Sequence, residues 1–116
     1  MSTLTVTNIQ ATGETASRAV SGVAAAWVNF DGTGTISIRQ SENISSLTDV
    51  STGRYKTNFT NSMSASNYSA SGWDHSYGVG WYAQLITTFV DLVRANNNFT
   101  AADVANISVT AHGDLA

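Results

Sequence analysis

The run Asp31-Gly32-Thr33-Gly34 sits between two stretches of alternating polarity, residues 24 to 30 and 35 to 39, and constrains the chain more than any other feature. Successive side chains on a strand point to opposite faces, so Ala26, Val28 and Phe30 share one face while Trp27 and Asn29 share the other. The glycines supply the positive φ that a tight reversal requires. A hairpin is therefore expected. A three-residue loop, Asp31-Gly32-Thr33, sets Val28 opposite Ile36, Ala26 opposite Ile38 and Phe30 above Gly34, which gathers the apolar residues on one face. A two-residue turn at Asp31-Gly32 scatters them. The three-residue register is the one predicted, with Trp27, Asn29, Thr35, Ser37 and Arg39 on the opposite face.

The same pattern recurs downstream. Residues 43 to 49 and 53 to 59 read as a second hairpin joined through Val50-Ser51-Thr52-Gly53, with Tyr55, Thr57 and Phe59 on one face and Arg54, Lys56 and Asn58 on the other. Serine, asparagine and glycine dominate residues 62 to 80, which reads as a long loop or a pair of short strands with a large tip. In "WYAQLITTFVDLVRANN", Leu85, Ile86, Phe89, Leu92 and Val93 fit a helical stripe. The β-branched composition instead favours a strand from about Thr87 to Arg94. "TAADVA" predicts a single helical turn capped by Thr100, with Asp103 near its start. The last strand places Ile107, Val109 and Ala111 on one face, and Asn106, Ser108, Thr110 and His112 on the other. Proline is absent, so strands run without interruption.

Turn signals about every ten residues between short strands predict an all-β fold, an antiparallel β-sandwich or barrel. Residues 23–116 are assigned to that domain. Residues 1–22 form a short N-terminal extension in which Leu4, Val6 and Ile9 alternate imperfectly. Such a segment is too short to own a core and is expected to add to another.

Composition narrows the function. Of 116 residues, 42% are apolar and only 11% charged, so solvation rests on hydroxyls and amides, which suits surfaces that meet other copies. Eight acids against five bases give a net charge of −3 with no basic run, which argues against nucleic acid. The lack of cysteine removes disulfides, thiol catalysis and thiolate metal sites. No apolar stretch approaches the roughly 18 residues needed to span a membrane, and Met1 leads into polar residues, so neither membrane insertion nor a cleaved leader is expected. Asn-x-Ser/Thr triplets at Asn43, Asn58, Asn67, Asn98 and Asn106 follow from the abundance of these residues rather than from glycosylation.

Several motifs together resemble the C-terminal domain of bacteriophage tail fibres and tail-associated receptor-binding proteins. The run from Ala24 through Trp27-Val28-Asn29-Phe30 to Gly32-Thr33-Gly34 is similar to that family's, as are Asn43-Ile44-Ser45-Ser46, the strand Gly53-Arg54-Tyr55-Lys56-Thr57-Asn58-Phe59 and the closing Gly113-Asp114. The likeness covers about residues 20 to 114. It implies a β-sandwich tip that assembles as a homotrimer on the phage tail and contacts the host surface, a bacterial glycan or an outer-membrane protein. Localisation to the virion, after synthesis in the host cytoplasm, and attachment to a tail or baseplate protein through the N-terminal segment follow from it. It transfers no individual binding residue, and the two dozen residues before Trp27, too few for the long shaft usual in such fibres, fit either an excised tip or a minimal fibre whose first residues do the anchoring.

The residues themselves single out "GWDHSYGVGWY", residues 72 to 82, where Trp73, Asp74, His75, Tyr77, Trp81 and Tyr82 stand among glycines and serines. Flat aromatic faces beside polar hydrogen-bonding groups suit sugar rings, and loops commonly carry binding. The competing reading has the same aromatics lining the sandwich or a trimer axis. Trp27, Val28 and Phe30 are expected to be structural. Asp31 is expected to be a turn residue, because a calcium loop needs several carboxylates. Asp74-His75-Ser76 contains triad letters, but adjacent residues on an extended chain point to alternate sides. His75 and His112 offer too little for a zinc site, and neither a metal nor a cofactor is expected. Convergence of Asp31, Asp49, Asp74 and Asp91 into a glycan-cleaving pair is left open by spacing alone. The chain reads as a binding or architectural protein rather than an enzyme.

Overall fold

Alternation in the sequence becomes two packed sheets in the computed structural model, which describes residues 2–74, 78–96 and 100–116. A two-residue ribbon comes first, β1 (Asn8–Ile9) pairing with β2 (Arg18–Ala19), followed by a single 3-10 turn, Val20–Gly22. Eight further strands follow: β3 (Ala24–Asp31), β4 (Ser37–Glu42), β5 (Ile44–Ser51), β6 (Arg54–Phe59), β7 (Ser69–Asp74), β8 (Gly78–Ile86), β9 (Phe89–Asn96) and β10 (Ile107–His112). They form two four-stranded antiparallel sheets, in the orders β4-β3-β10-β7 and β5-β6-β9-β8. No α-helix occurs among the described residues.

The core is the inner face of each sheet. Ala26, Val28, Phe30, Ile107, Val109 and Ala111 come from the first sheet and meet Tyr55, Phe59, Val90 and Leu92 of the second. Phe30 packs edge-on against Tyr55 at 5.3 Å between ring centroids, an aromatic contact that joins the sheets. Phe59 and Tyr68 repeat the geometry at 5.9 Å. The antiparallel β-sandwich expected from the sequence is present, and the inward sets Ala26/Val28/Phe30, Tyr55/Thr57/Phe59 and Ile107/Val109/Ala111 are the buried ones.

The first hairpin departs from its predicted register. Val28 pairs with Ser41 and Phe30 with Ile38, across a bulge at Asn29/Phe30, and the connection spans residues 32 to 36. Gly32 causes the shift. Its N–H donates to the Val104 carbonyl (2.8 Å) and its own carbonyl accepts from the Tyr55 hydroxyl (2.8 Å), so it is buried in the body of the protein. The reversal moves outward to Thr33–Ile36, where Gly34 takes φ 57° and Thr33 N–H donates to Asp31 Oδ1. Ile38, expected opposite Ala26 on the inner face, is consequently exposed.

Of the two readings of residues 62 to 80, the pair of strands is the one observed, as β7 and the start of β8, although these edge different sheets. One further expectation is corrected. No helical turn forms at residues 100 to 105, because Asp103 Oδ1 accepts from Gly53 N–H and the Tyr55 hydroxyl (both 2.8 Å) instead of capping its own segment. The preference for strand over helix is upheld at residues 81 to 96. The strand expected from about Thr87 to Arg94 is β9, displaced by two residues, and it pairs with β8 through a turn at Thr87-Thr88.

Candidate functional site

The side chains of the second sheet that point away from the core form a flat face whose layout follows from register alone. Inward Tyr55 and Thr57 alternate with outward Arg54, Lys56 and Asn58, and inward Val90 and Leu92 alternate with outward Phe89, Asp91 and Val93. Pairing across β5, β6, β9 and β8 then produces three rows: Ser51, Arg54, Val93 and Trp81; Thr48, Lys56, Asp91 and Gln84; Ser46, Asn58, Phe89 and Ile86. At about 4.8 Å between strands and about 3.4 Å per residue, the face measures roughly 14 by 14 Å.

Trp81 stands at one corner of this face with 49% of its surface exposed. A bulge at Tyr82/Gln84 lets both Trp81 and Gln84 point outward although three positions separate them. Diagonally opposite, Asn58 Nδ2 donates to Ser46 Oγ (3.1 Å) and Thr48 Oγ1 (3.0 Å).

Between these corners lies a charged centre. Arg54 donates from Nε to Asp91 Oδ1 (3.1 Å) and from Nη2 to Asp91 Oδ2 (2.7 Å), a bidentate clasp. The Asp91 side chain is 1% exposed while that of Arg54 is 42% exposed, so the acid is covered and the base presented. The hydrogen bonds to Asp91, reinforced by its charge, hold Arg54 above even its ordinary high pKa. Only two of the five guanidinium N–H donors are engaged by Asp91. Lys56 Nζ lies 4.5 Å from the centroid of the Phe89 ring, a cation-π contact that fixes the ammonium over the sheet. Two cations against one covered carboxylate make this face locally positive on a chain of net charge −3.

Of the six residues singled out in the sequence, the four among the described residues lie on strands of two different sheets. Trp81 lies on the outer face and Tyr82 turns inward, packed against the core with its hydroxyl buried, which raises its pKa. Trp73 and Asp74 end β7 in the other sheet, at register positions opposite Ser108 and Ile107. His75 and Tyr77 lie outside the described residues. Arg54, Lys56, Gln84 and Phe89 escaped sequence reasoning as members of a site, because only strand pairing brings them beside Trp81.

Two of the carboxylates weighed for glycan cleavage, Asp31 and Asp91, are committed to other partners. Asp31 accepts from Thr33 N–H and Oγ1 and faces Arg39 at 3.7 Å, and those hydrogen bonds lower its pKa. Asp91 serves Arg54 in the other sheet, and Asp49 lies opposite the inward Tyr55. Among the described residues no cluster of three or more His, Asp or Glu could hold a metal. No protein-family model, curated protein or solved structure matches the chain.

Proposed function

We propose that this chain is the tip domain of a short bacteriophage tail fibre, a virion structural protein that binds an acidic glycan of the bacterial surface and does not cleave it. The observation that carries the reading is Trp81, half exposed on a rigid strand face beside Arg54, Lys56 and Gln84. The indole offers a flat apolar surface to one sugar ring. Gln84 supplies an amide, and the two cations favour carboxylate or phosphate substituents. The tail-fibre resemblance supplies the biological setting, a homotrimer held to the tail through the N-terminal segment. Weak single sites on several linked copies reach useful avidity, by about 10²–10⁴-fold where the geometry permits simultaneous engagement.

Adsorption of the purified protein to intact bacteria, competed by polysaccharide extracted from the same cells, tests this. Competition that fails while adsorption persists points to a protein receptor, and no adsorption across a broad bacterial panel points to a purely architectural virion protein.

A further inference from the structure

The N-terminal arm and a groove on the body complement each other. Every residue from Ser2 to Gly13 is exposed, and Leu4 is 83% exposed. The sequence Ser2-Thr3-Leu4-Thr5-Val6-Thr7-Asn8-Ile9 is uncharged and rich in β-branched residues, with Leu4 and Val6 two apart on one side of an extended chain. Its root is fixed, because β1 pairs with β2 and Val20 N–H donates to the Thr7 carbonyl (3.0 Å). Beyond that root the body gives Leu4 no cover. The radius of gyration is 15.6 Å, against about 13.4 Å for a compact domain of this length, and the long axis is 45 Å against 27 and 25 Å.

The groove opens beside the arm's root. It encloses about 380 Å³ and has apolar walls from Val20, Val23, Ala25 and Leu115, with Asn43 and Asn61 among its polar lining. Val20, Val23 and Leu115 are themselves exposed, so the groove lacks an occupant for its apolar walls just as the arm lacks a cover for its apolar residues.

We infer that residues 2–9 of one copy of this chain lie in the groove of a second copy, as an exchanged extended segment. The occupant is the arm because it is uncharged, extended and alternately apolar, the form that seats side chains into an apolar slot while its backbone bonds to the rim. It is a second copy's arm because each body leaves its own Leu4 in solvent. This inference stands independently of glycan binding.

The chain has no cysteine, which makes linking experiments clean. One preparation carries Leu4→Cys, a second Leu115→Cys, and a third both; Val6→Cys replaces Leu4→Cys in a parallel set. Each is treated with a short bis-maleimide at a concentration where the mass of the untreated protein has been measured. Exchange predicts a linked pair in the mixture of the two single variants, in at least one set, and a loss of oligomer mass in full-length Leu4→Asp/Val6→Asp. Linkage confined within single molecules of the double variants would show the arm folding onto its own groove and overturn the inference. So would the absence of linkage in every mixture, or an oligomer mass unchanged by the aspartates.

Discussion

Arg54 on β6 and Asp91 on β9 form a two-point clasp across the outer face of the second sheet, with Nη2 and Oδ2 2.7 Å apart and the carboxylate almost wholly covered. A covered charge is tolerable only with its partner in place, so the pair acts as a unit. Arg54→Met is expected to lower the thermal midpoint more than the double change Arg54→Met/Asp91→Leu, because the single variant strands a buried carboxylate. Thermal melts of wild type, both singles and the double form the necessary cycle, and a double variant melting at or below the Arg54→Met single would contradict the expectation.

Tyr68 donates its hydroxyl to the carbonyls of Ile86 (2.8 Å) and Phe89 (3.0 Å), pinning the turn between β8 and β9. Burial pushes its pKa from 10.0 up to about 12, and burial together with Asp103 pushes Tyr55 higher still. A pKa raised on folding means that the folded state favours the neutral phenol. The associated stability is fully present below pH 10 and is lost as pH rises through about 12. Urea unfolding across this window is expected to show a falling midpoint. Tyr68→Phe should cost about 1 kcal/mol at neutral pH and make the alkaline fall shallower.

Gly53 and Asn43 both occupy the left-handed region, with φ of 71° and 58°, for different reasons. A Cβ on Gly53 would press on the Arg94 carbonyl and lie 2.7 Å from the Ala102 amide, both backbone, so Gly53→Ala should cost about 2 kcal/mol or more. Asn43 turns the corner from β4 to β5, donates to the Ala25 and Asn61 carbonyls and accepts from Asn61 N–H. Asn43→Gly retains the backbone and loses these bonds, whereas Asn43→Ala loses both. The alanine variant should therefore be about 1 kcal/mol the less stable of the two in urea unfolding.

Alternation made the inward faces of β3, β6 and β10 legible, since period-two burial needs no knowledge of partners. Register was a different matter. The first hairpin was placed by its own apolar residues, but Gly32 is held by Tyr55 and Val104, residues 23 and 72 positions away, and local patterning contains no trace of either. Asp103 looked like part of a helical turn for the same reason, its real partners lying 48 and 50 residues distant. Trp81 was visible as an aromatic among small residues. Its neighbours Arg54, Lys56 and Phe89 were not, because what joins them is the pairing of β6, β9 and β8.

Binding of bacterial surface polysaccharide by wild type and Trp81→Ala, with thermal melts on the same preparations, tests the central claim most directly. Trp81 is half exposed, so its truncation should leave stability within about 0.5 kcal/mol. The account predicts an unchanged melt and binding weaker by about thirtyfold, equivalent to roughly 2 kcal/mol of lost aromatic contact. An unchanged melt with unchanged binding would contradict it and remove the outer face of the second sheet as the site.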